Sequence, residues 1–372
     1  LDGIGGPLHS AGYVGVVIPI VPLTRSCPVK DHRTIVVADH HKKVFVCQVI
    51  DRGTGEVRSL TLESRRDALR PFLEALSRPA LVYVEACRSW EWVSDLCDEL
   101  AIDLQLVDPS RMPEIARSSK KTDHHDVAAM VQRLTVTGEL PSSFRASREQ
   151  RELRALTRQL SDLRNTRRRL IHQVHAVIDA HGLPAPKVQF VRAEWRERTR
   201  GALSRLAWLA LECLLLQYDQ NLALQELLEG EIVALVKDRE DYERLLKIPG
   251  IGPVLAATIL SECGGIERFK SAREFAAFTG LTPRVRSSAG KAKLGAITRN
   301  GSPHLRWALG QAAMVSLRCK TPTRITAFYR RKRAKGKPGA VAICAAAHKL
   351  ARAVWVVLAR GEEFMADAKA AA

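Results

Sequence analysis

The run Lys121-Thr122-Asp123-His124-His125-Asp126 constrains the fold more than any other stretch of the chain. It opens an apolar-periodic helix with two carboxylates three residues apart, which points both the same way. Like charges on one helical face repel, so a shared cation is the most economical reason to keep them there. The preceding sequence supplies further ligands. Asp39 ends the apolar run Thr34-Ile35-Val36-Val37-Ala38, and Glu85 ends Ala80-Leu81-Val82-Tyr83-Val84. Acids at the ends of two core strands, joined by a pair on a later helix, form a hard oxygen site. Such a site suits Mg²⁺ or Mn²⁺ and hence phosphodiester chemistry. His124 and His125 lie between two of the acids, but their helical positions face away from that site, so a softer metal is not expected.

Strand-like stretches at 34-39, 43-50 and 56-62 follow one another closely, with the turn Asp51-Arg52-Gly53-Thr54-Gly55 between the last two. Short connections imply an antiparallel meander. Helices at about 65-77 and 89-100 then alternate with strands at 80-85 and 103-107, and the helix carrying Asp126 closes the unit. The expected result is a mixed sheet covered on both faces. Its element order resembles the ribonuclease-H-like, or RuvC-like, nuclease fold. Residues 34-142 are assigned to this domain, and 1-33 to a poorly specified extension without a recognisable secretory signal.

From about 143 to 243 the pattern is helical, and Leu153, Leu156, Leu160, Leu163, Leu170, Val174 and Val177 keep a near-heptad rhythm. A long antiparallel coiled coil is expected, its first arm ending at Gly182-Leu183-Pro184-Ala185-Pro186 and its second running through 203-246. Between Phe144 and Gln173 stand nine Arg against three acids. The plain reading is a solvated, salt-bridged face; the sharper one is phosphate contact or subunit pairing.

Residues 244-372 form the last domain. Ile248-Pro249-Gly250-Ile251-Gly252-Pro253 between two apolar helices looks like a helix-hairpin-helix, whose glycines, Gly250 and Gly252, let backbone N–H groups approach a phosphate. Gly280 to Lys291 reads as a polar loop after a helix at 271-279, with Ser287 and Ser288 surrounded by Arg284, Arg286, Lys291 and Lys293. Arg318 to Lys337 holds nine basic residues and no acid, including Arg330, Arg331, Lys332 and Arg333. Phe328 and Tyr329 among them suggest a nucleic-acid surface with stacking. An Ala- and Val-rich helix at about 339-359 packs back on this domain.

The formal charge of +18 and pI near 9.9 fit a polyanion partner, nucleic acid first. No apolar run approaches the roughly 20 residues of a spanning helix, so no membrane is expected. The eight Cys are scattered without a CxxC pair, which argues against a zinc knuckle or disulfide framework and fits a reduced cytosol.

Taken in order, these motifs, with Gly-Leu-Thr-Pro-Arg-x-x-Ser-Ser-x-Gly and Asn300-Gly301-Ser302-Pro303-His304-Leu305-Arg306, resemble the insertion-sequence one-ten family of DEDD transposases, the bridge recombinases. The resemblance spans roughly residues 34-365, and the Ser-Ser-x-Gly-Lys-x-x-Leu-Gly form is closer to the eleven-eleven subgroup. It implies that Asp39, Glu85, Asp123 and Asp126 are a metal-binding catalytic tetrad and that Ser288 is the catalytic serine, with Ser287 its close rival. A covalent phosphoseryl link would conserve the energy of the broken bond. The resemblance further implies excision and insertion of double-stranded donor and target DNA guided by a structured RNA. Arg306 and the basic residues above would touch nucleic acid. Homodimers would pair into tetramers, in a prokaryotic cytoplasm and at the nucleoid. Two departures stand out: His40 and His41 follow Asp39 where the family has a small or hydroxyl residue and then Lys, and Cys87-Arg88 replaces Thr-Gly after Glu85. The competing readings are a water-using metal-dependent nuclease or junction resolvase, which needs the tetrad but not Ser288, and a catalytically silent RNA- or DNA-binding scaffold.

Overall fold

A computed structural model of the chain describes residues 31–87, 89–116, 122–184, 192–288, 291–320 and 322–364. The expected extension lies almost wholly outside them, as do Arg88 and Lys121. The chain divides into two compact units, Leu1–Ala146 and Ser147–Ala372.

The first unit opens with the expected meander, β1 (Thr34–His40), β2 (Val44–Asp51) and β3 (Val57–Glu63). Asp51 makes the second turn by accepting hydrogen bonds from the Gly53 and Thr54 amides. Then follow α1 (Arg66–Glu74), β4 (Ala80–Glu85), α2 (Trp90–Glu99), β5 (Asp103–Val107), the short α3 (Pro113–Ala116), α4 (Asp123–Thr137) and β6 (Ser142–Ser143). The sheet order is β3-β2-β1-β4-β5-β6, with β4 parallel to both β1 and β5 and the remaining pairs antiparallel. Alternation along β1 sends Val36 and Ala38 to one face, where Leu69 and Leu73 of α1 and Val93 and Leu96 of α2 cover them. Ile35 and Val37 go to the other, against Val127, Met130 and Leu134 of α4. This compact unit ends at Ala146. Two features here carry no sequence signal: β6, which pairs with β5, and Arg145, whose guanidinium donates to Ser94 Oγ at 2.7 Å and pairs with Asp98.

The second unit contains α5 (Arg148–Ala180), α6 (Ala193–Ala202), α7 (Arg205–Val236), α8 (Glu240–Leu246), α9 (Pro253–Cys263), α10 (Ala272–Phe278), the hairpin β7 (Pro283–Ser288) and β8 (Lys291–Ile297), α11 (Pro303–Ser316), α12 (Arg324–Ala334) and α13 (Gly339–Arg360). Helices α5 and α7 run antiparallel. Leu170, Val174 and Ile178 pack with Leu211, Leu215 and Tyr218, while Leu153 and Leu160 share a core with Ile232 and Val236. The returning arm stops at Val236, not 246, because α8 is a separate helix. The unforeseen α6 is held by Arg196 on Asp219 of α7.

Three expectations for this unit are corrected. The stretch read as a polar loop is the β7–β8 hairpin, with Ser287 paired to Ala292 and Ser288 to Lys291. Among the nine arginines, Arg154 donates to the Ser261 carbonyl at 3.0 Å, Arg158 grips the buried Glu262 at 2.7 and 3.0 Å, and Arg164 pairs with Glu229 at 2.7 Å. With Arg145 on α2 and Arg148 on Glu152, five of them serve the protein itself. Burial alone would raise Glu262, but the Arg158 guanidinium and Ser302 hold its carboxyl below the usual range. Finally, α13 is long and apolar enough to cross a membrane on composition alone, contrary to the expectation that no run was. Its Ala346, Leu350, Val354 and Val357 are buried in the core shared by α9 to α12.

Candidate metal centre

Asp39 has the parity of Ile35 and Val37, and Glu85 that of Leu81 and Tyr83, so both acids lie on the face that α4 covers. Parallel register sets Ala38 beside Val84, which makes the two acids neighbours at adjoining strand ends. Helix α4 brings the other pair. Thr122 caps it by accepting from the His125 amide, and Asp123 and Asp126 occupy its first turn, where the helix dipole favours negative charge. Val127, Met130 and Leu134 anchor that helix to the sheet, so the sequence that buries its apolar stripe also aims its acidic turn.

Asp39 is almost fully buried, and its Oδ1 has no hydrogen-bond partner among the described residues. Burial, with Asp39 next to it and Asp126 nearby, pushes Glu85 up to about 7. His41 joins the acids, a place its sequence context does not announce. Its Nε2 lies 3.1 Å from Asp39 Oδ2 and 3.2 Å from Asp123 Oδ1, and these three residues offer ligand atoms all within 4.8 Å of one another. Burial opposes a charge on His41, but Asp39 and Asp123 outweigh it and raise its pKa. A motif reading takes His41 only as a departure from a family pattern. The usable signal was its position two residues beyond Asp39, where the chain turns back over the strand end.

His40 plays no such part. It points to the opposite face, buried against Phe45 and Trp92, with Nε2 2.7 Å from Ser64 Oγ, and burial drives it down to about 4. His124 and His125 are exposed and stand outside the cluster.

The other expected contacts separate into two groups. Gly250, at φ +98°, packs against the backbone of α11, whereas Gly252 caps α9 with open space beside its Cα. Arg306 is half-buried and donates to the Thr279 carbonyl at 3.2 Å, a structural tie. Arg284 is exposed, as are Arg330, Arg331 and Arg333 on α12. Phe328 lies under the ammonium groups of Lys332 and Lys349, at 5.3 and 5.0 Å, and Tyr329 packs on the core. On α12 it is therefore the cations that face outward. The side chains of Arg286, Ser287, Ser288, Lys291 and Lys293 lie outside the described set.

Residues 36–182, which carry all four acids, match the family profile DEDD_Tnp_IS110, described as a transposase. Residues 242–330 match the profile described as the transposase IS116/IS110/IS902 family. The chain belongs to the IS110 family of transposases. Relatives of this IS110-family chain include a "Probable family 20 transposase" of Pseudomonas aeruginosa, 29% identical over 87% of this chain and 96% of the relative. Others are the transposases for insertion sequence element IS1328 of Yersinia enterocolitica, 29% identical over 80% of this chain and 89% of that one, and for IS1111A of Coxiella burnetii, 26% identical over 72% and 75%. Membership in the IS110 family implies DNA binding and DNA strand transfer in general, and its DEDD domain implies a divalent metal. The buried, unsatisfied Asp39 oxygen and the surrounding carboxylates fit such an ion.

A proton on Glu85 competes with a cation. Its folded value of about 7 exceeds the ordinary 4.5, so Glu85 favours the folded metal-free protein fully below about pH 4.5 and progressively less as the pH rises through 7. Mg²⁺ should therefore raise the melting temperature more at pH 8 than at pH 6, and Glu85→Gln should flatten both trends. Equal metal-induced shifts at the two pH values would contradict this, and differential scanning fluorimetry measures them.

Proposed function

We propose that this transposase excises and inserts its element by RNA-guided strand exchange, with Asp39, Glu85, Asp123 and Asp126 holding divalent cations and Ser288 acting as nucleophile. The observation that carries the reading is the convergence of acids from β1, β4 and the first turn of α4 in a segment matching the DEDD profile. Mg²⁺ or Mn²⁺ bound there would neutralise the scissile phosphate and favour the serine alkoxide. The chain's own part is positional. The tetrad residues are rooted in a sheet and a capped helix, so their carboxylates need little reorganisation.

In the proposed step, Ser288 gives up its hydroxyl proton as Oγ bonds to phosphorus, the phosphorus–sugar oxygen bond breaks, and the departing sugar oxygen takes up a proton to become a hydroxyl. The hydroxyl of the exchanging strand later attacks the phosphoseryl link and frees the serine, which conserves bond energy throughout. Arg284, Arg286, Lys291 and Lys293, on the β7–β8 hairpin, would hold the phosphate beside the serine. Gly252 at the start of α9 would offer backbone amides to a neighbouring phosphate, completing a helix-hairpin-helix of α8 and α9. Arg330, Arg331, Lys332 and Arg333 would follow a nucleic-acid backbone.

The α5–α7 pair serves in this proposal as a coiled coil for assembly. Leu206, Leu209, Leu216, Leu227 and Leu235 of α7 are exposed in the single chain, an apolar face suited to pairing subunits into dimers and then tetramers. Sequence choice is assigned to base pairing by a structured RNA, because side chains read RNA shape more readily than its paired bases.

Trapping tests the chemistry. Wild-type protein incubated with donor DNA, the structured RNA transcribed from the element and Mg²⁺ should give a denaturant-resistant protein–DNA adduct, absent from Ser288→Ala and retained by Ser287→Ala. The reverse pattern would move the nucleophile to Ser287. Cleavage without an adduct, indifferent to both substitutions, would establish the water-using nuclease instead.

A further inference from the structure

In the C-terminal unit a cavity of about 420 Å³ opens between α5 and α11, a size in the range of small-molecule sites. Arg164, Asn165, Arg167 and Arg168 form its α5 wall, and His304 and Trp307 its α11 wall. Two kinds of surface meet there. Arg164 is neutralised by Glu229 at 2.7 Å, but Arg167 and Arg168 form no ion pair among the described residues, and no carboxylate lines the cavity. Arg168 donates to Asn165 Oδ1 at 3.3 Å, which orients its guanidinium without cancelling its charge. The opposite wall carries a half-buried indole seated at the edge of the core. That wall begins at the start of α11, where Ser302 accepts from the Leu305 amide and Pro303 fills the first turn, adding the positive end of a 14-residue helix.

Uncompensated guanidinium groups select an anion, and their planar forks suit phosphate oxygens. The tryptophan adds a second requirement, a flat unsaturated ring within one nucleotide's length of that anion. Free phosphate leaves the indole unused, and an acidic peptide supplies no such ring. Duplex DNA satisfies the arginines only, because its bases are already stacked inside the helix. We propose that this cavity binds one unpaired nucleotide of a nucleic-acid strand, with Arg167 and Arg168 on its phosphodiester and Trp307 stacked on its base. The inference rests on the reading of the chain as a nucleic-acid recombinase and adds a specific single-stranded contact to it. An unpaired base arises both in DNA opened for exchange and in a loop of a folded RNA, so the same chemistry has two sources.

Photocrosslinking tells them apart. Full-length protein is irradiated with 5-iodouracil oligonucleotides as single-stranded DNA, single-stranded RNA and duplex DNA, and the modified peptide is mapped by mass spectrometry. The expected result is an adduct on Trp307 with a single-stranded probe and none with the duplex; the probe that reacts identifies the strand. In fluorescence anisotropy, Arg167→Ala with Arg168→Ala should weaken single-strand binding and lower its salt dependence by about one to two charges. Trp307→Leu should cost about tenfold and Trp307→Phe much less, since phenylalanine keeps a stacking face and fills the same core edge. Adducts confined to other peptides, equal reaction with duplex, or arginine variants that bind as wild type would overturn the assignment. If the Mg²⁺-dependent DNA adduct still forms in that case, the cavity proposal fails while the recombinase reading stands; loss of both in wild-type protein refutes the parent reading.

Discussion

Asp39→Asn is expected to reduce metal-dependent DNA cleavage about a thousandfold or more, roughly 4 kcal/mol of transition-state stabilisation. Asp39 lies in β1 between two hydrogen-bonded neighbours, with Val46 opposite on β2 and β4 alongside, so its carboxylate is fixed at the strand end. The residue is nearly inaccessible to water, and its Oδ1 has no hydrogen-bond partner among the described residues, so solvent does not make up for the lost charge. Asparagine preserves the shape and removes a negative neighbour of Glu85, which relieves one of the causes holding Glu85 near 7. The metal-free variant should therefore melt at or above the wild-type temperature, while the Mg²⁺-induced shift shrinks. That combination distinguishes a ligand from a structural acid. Cleavage within tenfold of wild type would exclude Asp39 from the metal site.

Gly250→Ala is the substitution expected to damage folding most, by about 2–6 kcal/mol. A positive φ of +98° costs a non-glycine residue about 1–3 kcal/mol. A Cβ there would also stand 2.8 Å from the Ser316 amide nitrogen and closer still to the Ala312 carbonyl oxygen, both backbone of α11. Backbone inside a packed helix yields less readily than a side chain, and overpacking adds about 1–3 kcal/mol. The loss should appear as faster hydrogen exchange in α9 and α11 and a lower denaturation midpoint for the C-terminal unit. Gly252→Ala is the matched control, with no atom within 4 Å of the new methyl and φ of −97°. A stable Gly252 variant that loses DNA affinity would mark a backbone contact with phosphate. A Gly250 variant folding as well as wild type would show that α9 and α11 do not pack this closely.

These two glycines illustrate what a motif conceals. Pro249-Gly250-Ile251-Gly252 reads as a single phosphate-binding signature, yet one glycine is required by helix packing inside the protein and only the other is open. The arginines of α5 teach the same lesson. Their excess suggests a polyanion, but Arg154, Arg158 and Arg164 find partners on α9 and α7 more than sixty residues away, which no local window can anticipate. The residues left over, Arg167 and Arg168, become informative only because α11 folds back beside them with Trp307.

The sequence by itself determined the meander, the alternation of helices and strands that follows it, the acid at the end of each central strand, the acidic first turn of α4 and the long helix pair. Those features are written in periods of two and 3.6 residues, which local backbone geometry enforces. Tertiary structure alone decided that His41 turns back between Asp39 and Asp123, that the serine stretch is paired as a hairpin rather than left as a loop, and that Gly250 meets the backbone of α11. The first and last of these depend on which distant segment lies alongside, and that is set by the packing of whole apolar faces rather than by any spacing along the chain; the hairpin is local, but its polar residues carry no apolar alternation to announce its strands.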